Sequence, residues 1–323
     1  MTVRQRVVLV FIVREDTGQV LLVERPSSAP VYPGRLSTVA GDLIPGERVE
    51  DAARRAIEAE LPGAEAIHLV RGGLPVDFTD TLRKKSVSFR VHPFLARVPT
   101  GSGVLHPRGH WSDPDELVVS TAVGKTLPEL DEALARVLDP PAALPPHVRA
   151  EARALHGLEA PGRELARRAI AIVAAGAPPE RVAALRPALA RVVNAARAAV
   201  VPTRDVAAEL AAAARAEARA VAGVTDGVRR VATVGEVPFD RAPESPESAE
   251  LVLLGAAAVL PHGDVVAPAG ALEAARLAGA RGVPVLATAD AWAAWGDDVA
   301  PPLPPGMELV PRALVQRVIG LEN

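Results

Sequence analysis

Two sets of residues in this 323-residue chain have types and spacings that could do chemistry. In the first, Gly41 is followed after five residues by Glu47, and Glu47 after seven by Arg55, with Glu58 and Glu60 close behind. Several carboxylates brought together suit a hard divalent cation such as magnesium, which takes oxygen ligands and offsets charge developing on a phosphate. Glu47 and Glu60 are the carboxylates read as a weak magnesium site, and Glu47, Arg55 and Glu60 are the candidates for catalysis. The second set is Thr233, Gly235, Gly255, Asp264 and Gly270, with Arg186 upstream. Open α/β sheets bind ligands at strand ends, where such residues would line a cleft. The same residues also serve as ordinary turns and caps. With no cysteine in the chain there is no disulfide, no thiolate metal site and no cysteine nucleophile.

The elements that must position these residues are readable from pattern. Apolar runs at residues 7–13 and 19–24 flank Glu15-Asp16-Thr17-Gly18 and predict a hairpin. A Gly- and Pro-rich passage at residues 26–46 carries Gly41, Glu47 follows it, and residues 50–61 then form a helix that Pro62-Gly63 ends. Further strands are expected at 66–71 and 87–96, and a helical stretch around 127–138. Proline-dense residues 141–147 read as a stiff linker. The expected domains are therefore 1–140, a helical subdomain at 148–226 in which Leu185, Leu189, Val192, Val193 and Val200 mark one buried face, and a strand-and-helix domain at 227–323. Apolar runs at 231–234, 251–254 and 283–287, with a helical stretch at 270–280, predict parallel strands joined by crossover helices.

Tyr32-Pro33-Gly34, Val39-Ala40-Gly41, Glu47, Arg55, Ile57 and Glu60, in this order and spacing, resemble the signature of the Nudix hydrolase family. His92-Pro93-Phe94 and Trp111 resemble segments of Nudix domains fused to a second domain. The resemblance implies an α/β/α sandwich, Gly41 at the substrate, and a magnesium site whose three glutamate positions are here Ala56, Ala59 and Glu60. After the linker, residues 249–259, Gly263-Asp264-Val265-Val266 and Gly270 resemble the core of another superfamily, supported by Arg186-Pro187, Asn194, Gly282-Val283-Pro284-Val285 and Glu308-Leu309-Val310-Pro311. That superfamily comprises initiation factor 2B regulatory subunits, methylthioribose-1-phosphate isomerase and ribose-1,5-bisphosphate isomerase. It implies a Rossmann-like sheet, here shortened, because only residues 235–249 stand between two strands that members separate by a further strand and helix. The resemblance assigns a cysteine and an aspartate to proton transfer, yet this chain has no cysteine and Ala257 stands at the aspartate. Ala267-Pro268 replaces the pair assigned to phosphate contact.

The fold class expected is α/β throughout. Neither half keeps a complete catalytic set, so the expected role is a noncatalytic binding or regulatory protein that recognises a nucleotide, a sugar phosphate or a protein partner. The alternatives are a divergent magnesium-dependent Nudix hydrolase of nucleoside diphosphate derivatives and a structural assembly subunit. The superfamily resemblance also implies a homodimer through the C-terminal domain. A net charge of -3 gives no reason to expect nucleic acid as a partner. The absence of long apolar runs argues against a membrane span, and the lack of cysteine fits a cytoplasmic setting.

Overall fold

The computed structural model describes residues 3–82, 85–99, 101–141, 144–157, 160–201, 204–240, 242–297, 299–304 and 306–321. Two residues of the expected linker, Ala142 and Ala143, lie outside the described residues. The chain divides into two compact units, Met1–Ala143 and Leu144–Asn323.

In the first unit β1 (Val3–Arg14), β2 (Val20–Glu24), β3 (Leu36–Ser37) and β4 (Val39–Asp42) lead into α1 (Val49–Glu60). Then come β5 (His68–Gly72), β6 (Val76–Leu82), β7 (Lys85–Val98), β8 (Gly109–Ser112), α2 (Pro114–Ala122) and α3 (Leu130–Ala135). All eight strands join one mixed sheet, ordered β3-β2-β1-β7-β5, with β4 on β1, β6 on β7 and β8 on β2. β1 and β7 run parallel at its centre, in register from Val3↔Val87 to Arg14↔Val98. The near-continuous apolar run of β1 follows from this central place, since a strand covered on both faces has no need of alternation. Leu9, Phe11 and Val13 join a core with Leu130, Ala133 and Leu134 of α3.

α1 covers the opposite face, in keeping with the period of two along a strand. Val49, Ala52, Ala53, Ala56 and Ile57 are its buried residues, spaced as one helical stripe. Small residues let the helix approach β4 closely. A Cβ on Gly41 would stand 3.0 Å from the Cβ of Ala56, so any side chain here would crowd α1.

The second unit opens with α4 (Arg149–Gly157), α5 (Gly162–Ala174), α6 (Pro179–Ala183), α7 (Ala190–Ala198) and α8 (Val206–Thr225). β9 (Val231–Val234), β10 (Leu251–Gly255), β11 (Ala258–Val259), β12 (Val265–Pro268), α9 (Ala271–Ala280), β13 (Val285–Thr288), β14 (Met307–Val310) and β15 (Arg317–Ile319) follow. The parallel sheet β15-β13-β10-β9 is short, and β11-β12-β14 form a separate antiparallel sheet that the pattern of apolar runs did not reveal. Of the expected buried face, Leu185, Val192 and Val193 are buried, Leu189 is half-buried, and Val200 fails at 51% exposed. α7 stops at Ala198, so the helical phase that would have carried Val200 inward is lost.

Candidate functional site

The Pro- and Gly-rich loop before α1 is held by one carboxylate. Glu47 accepts from Arg55 Nε at 2.9 Å and from Arg55 Nη2 at 2.8 Å. It also accepts the main-chain N–H of Ile44 at 3.1 Å, while Arg55 Nη2 donates to the carbonyl of Asp42 at 2.7 Å. The spacing of Gly41, Glu47 and Arg55 thus builds a bidentate clamp between loop and helix, the geometry in which guanidinium and carboxylate bind best. The hydrogen bond from Arg55 holds the Glu47 carboxyl below its ordinary range.

Glu60 sits apart from that clamp, at the end of α1. It is partly buried, and burial pushes its carboxyl up, against the Ala40 N–H that it accepts at 3.4 Å and the pull of Arg25 and Arg108. Ala56 is 2% exposed beneath Gly41, and Ala59 is exposed. Among the described residues, no group of three or more His, Cys, Asp or Glu gathers as for a metal ion. Both oxygens of Glu47 are engaged, and the charges that act on Glu60 are guanidiniums. These residues fit a divalent cation poorly.

Two cavities meet at Glu60. One, of about 320 Å³, reaches from Glu60, Arg25 and Gly41 to an aromatic wall of Tyr32, Phe78 and Phe89. Phe78 and Phe89 stack with centroids 5.0 Å apart, and Tyr32 lies 6.2 Å from Phe89. The Tyr32 hydroxyl donates to Asp80 at 2.6 Å, which anchors the ring and, with burial as the larger cause, raises its pKa. The other cavity, of about 570 Å³, is lined by Glu24, Arg25, Glu60, His106 and Arg108.

In the second unit Thr233, Gly235 and Gly255 come together at the carboxyl ends of β9 and β10, but little room remains there. A Cβ on Gly255 would fall 2.6 Å from the main-chain nitrogen of Glu236, and one on Gly235 would fall 3.0 Å from the ring of Pro268. The Glu236 carboxylate accepts the N–H of Gly162, in the first turn of α5, at 2.7 Å. Asp264 accepts the N–H of Arg312 at 2.8 Å beside the β11–β12 hairpin, Gly270 caps α9 at a φ of 93°, and Arg186 donates to the carbonyl of Leu155 at 2.9 Å. These three serve as cap and bridge. Beneath lies a charge network unforeseen from sequence. Arg191 donates to Asp290 at 3.0 Å and to the carbonyl of Ala256 at 3.1 Å, Arg163 reaches both Asp290 and Glu217, and both carboxylates are 0% exposed.

Residues 3–137 match the family model described as NUDIX domain. This part of the chain resembles a NUDIX domain. Over 83 residues the chain is 34% identical to the nucleoside triphosphatase NudI of Escherichia fergusonii, a stretch equal to 26% of this chain and 56% of that protein. The NudI of Escherichia coli K12 / DH10B is 35% identical over the same length. The chain therefore spans little more than half the length of these curated relatives. Among solved structures, it is similar to an Ap4A hydrolase of C. elegans, at 19% identity and a TM-score of 0.32, covering 42% of this chain and 94% of that one. It is also similar to translation initiation factor eIF-2B of Pyrococcus horikoshii OT3, at 16% identity and a TM-score of 0.42, covering 55% of this chain and 95% of that one.

Within residues 3–137, sequence reasoning named Gly41, Glu47, Arg55 and Glu60 but missed Arg25, Arg108, Phe78 and Phe89. The one usable signal was the rarity of aromatics, since the chain holds five Phe and one Tyr. Arg25 and Arg108 carried none, because they lie 83 positions apart in the chain yet act on the same carboxylate.

Proposed function

We propose that the NUDIX domain binds a nucleotide, with the base against Phe78, Phe89 and Tyr32 and the phosphates toward Arg25 and Glu60, and that it acts as a binding or regulatory module rather than an efficient hydrolase. The observation that carries this reading is the aromatic wall. Two of the five Phe and the single Tyr of an aromatic-poor chain stand in the cavity that reaches Glu60. Flat rings suit a nucleobase, because stacking is worth about 1–3 kcal/mol per base and tolerates every base. The loss of glutamate at positions 56 and 59 weighs against turnover. A nucleotide is favoured over a sugar phosphate, because the strand ends of the second unit are filled by Glu236 and Pro268. We assign that unit to assembly, pairing two copies into a homodimer, on its resemblance to a superfamily whose domains pair and on the prevalence of isologous dimers.

Thermal-shift titration of the full chain with ATP, GTP, CTP and UTP tests the proposal. A ligand selective for the folded state raises the melting temperature by mass action. At least one nucleotide should do so, and Phe78→Ala should abolish the shift. Absence of any shift at millimolar nucleotide would overturn the reading. The similarity to nucleoside triphosphatases favours one rival, a magnesium-dependent hydrolase of nucleoside di- or triphosphates. Magnesium-dependent release of phosphate or pyrophosphate at ordinary enzymatic rates would establish that rival instead.

A further inference from the structure

The charges around Glu60 suggest how phosphate is held, an inference that rests on the nucleotide reading above. Arg25 lines both cavities that meet at Glu60, and Arg108 lines the larger one. Each guanidinium is steadied by a single N–H to the main chain: Arg25 Nε donates to the carbonyl of Val31 at 2.9 Å, and Arg108 Nε to that of Glu24 at 3.1 Å. Neither makes an ion pair within 4.0 Å among the described residues. Arg25 is nevertheless partly buried, with Glu60 and Asp42 acting on it only at longer range. A guanidinium withdrawn from water without a close anion leaves an unmet charge, and its remaining N–H groups form a planar fork suited to phosphate oxygens. His106 adds to this wall. Its Nδ1 accepts the N–H of Arg108 at 3.0 Å, which assigns the ring proton of the neutral imidazole to Nε2, a further donor. The carboxylates lining these cavities are Glu24, Asp42 and Glu60, and among the described residues they do not gather into a group of three as for a metal ion.

We propose that Arg25 and Arg108 take a phosphate group of the bound nucleotide directly, in place of the divalent cation that a complete set of helix carboxylates would hold. Nucleotide binding to this NUDIX domain is then independent of magnesium. Guanidinium forks have taken over the charge neutralisation that the family motif assigns to metal.

Isothermal titration of the full chain with ATP, GTP, CTP and UTP, in excess EDTA and in excess magnesium chloride, tests this. The expected result is binding in EDTA at least as tight as with magnesium. Arg108→Gln, at an exposed position, should weaken it by roughly tenfold or more, the usual loss for a hydrogen bond to a charged group. Arg25→Gln should do the same. If that variant fails to fold, Arg108→Gln carries the test, together with a steep fall in affinity with added potassium chloride, which screens a pairing of this kind. Binding that requires magnesium, or that survives Arg108→Gln unchanged at low salt, would overturn the arginine proposal while leaving nucleotide binding intact. No binding under either condition would overturn both.

Discussion

At the scale of single residues, Glu47 and Glu60 have opposite surroundings although both belong to one motif. Glu47 is pinned by Arg55 and by the N–H of Ile44, so its charged form is favoured. A carboxyl whose folded pKa lies below its unfolded value contributes stability that is complete above the unfolded value and is lost as pH falls through the folded one. The melting temperature of the chain should therefore drop on acidification below roughly pH 4, and Glu47→Gln should flatten that part of the profile. Calorimetry across the acid range checks this; identical profiles for parent and variant would refute it. Ala56 and Ala59 differ just as plainly. Ala56 is 2% exposed with its Cβ against Gly41, so Ala56→Glu should cost about 1–3 kcal/mol or more for an unpaired, crowded carboxylate. Ala59 is exposed, and Ala59→Glu should stay within about 0.5 kcal/mol. Chemical denaturation of both variants distinguishes them. Restoring the missing carboxylates to this helix is thus a problem of folding before it is one of catalysis.

Among the elements, the helices of the second unit are tied to its sheet by charge as well as by apolar packing. Arg163 on α5 and Arg191 on α7 meet Glu217 on α8 and Asp290 just beyond β13, two guanidiniums against two fully buried carboxylates. Burial pushes the Glu217 carboxyl up while Arg191 and Arg163 pull it down. Removing one cation leaves the other side unbalanced in a dry interior. Arg191→Met should consequently destabilise the second unit by about 3–5 kcal/mol, although the side chains are similar in length. Replacing all four members with apolar residues of matched volume should cost far less, since an intact buried network is close to neutral against a hydrophobic isostere. Urea unfolding of the single and quadruple variants measures the difference, and a single variant as stable as the parent would contradict the role given to the network. The helical phase itself sets a limit, as Val200 shows: one residue past the C-cap of α7, an apolar side chain that would continue the buried stripe lies in solvent.

For the whole molecule, the division into Met1–Ala143 and Leu144–Asn323 separates recognition from assembly in the reading proposed above. Light scattering should give a dimer for the full chain at micromolar concentration and a monomer for a truncation ending near Pro140. A monomeric full chain would remove assembly from the second unit. Among the described residues, no helix is long and apolar enough to cross a membrane.

Much of this organisation was legible in the sequence because it depends on local pattern. The stripe of α1, the continuous apolar run of β1, the hairpin turn at residues 15–18 and the spacing of Gly41, Glu47 and Arg55 each follow from periodicity or from contacts between near neighbours. The absence of cysteine and the alanines at 56, 59 and 257 likewise needed no coordinates. What only the tertiary structure decided are associations across long stretches of chain. Arg25 and Arg108 converge on Glu60, Tyr32 reaches Asp80 and the Phe78–Phe89 pair, and Arg191 on α7 finds Asp290, because the pairing of distant strands and the packing of helices on sheets bring their side chains together. Whether a carboxylate meets a metal, a guanidinium or a main-chain N–H is set by those neighbours, and sequence spacing carries no record of them.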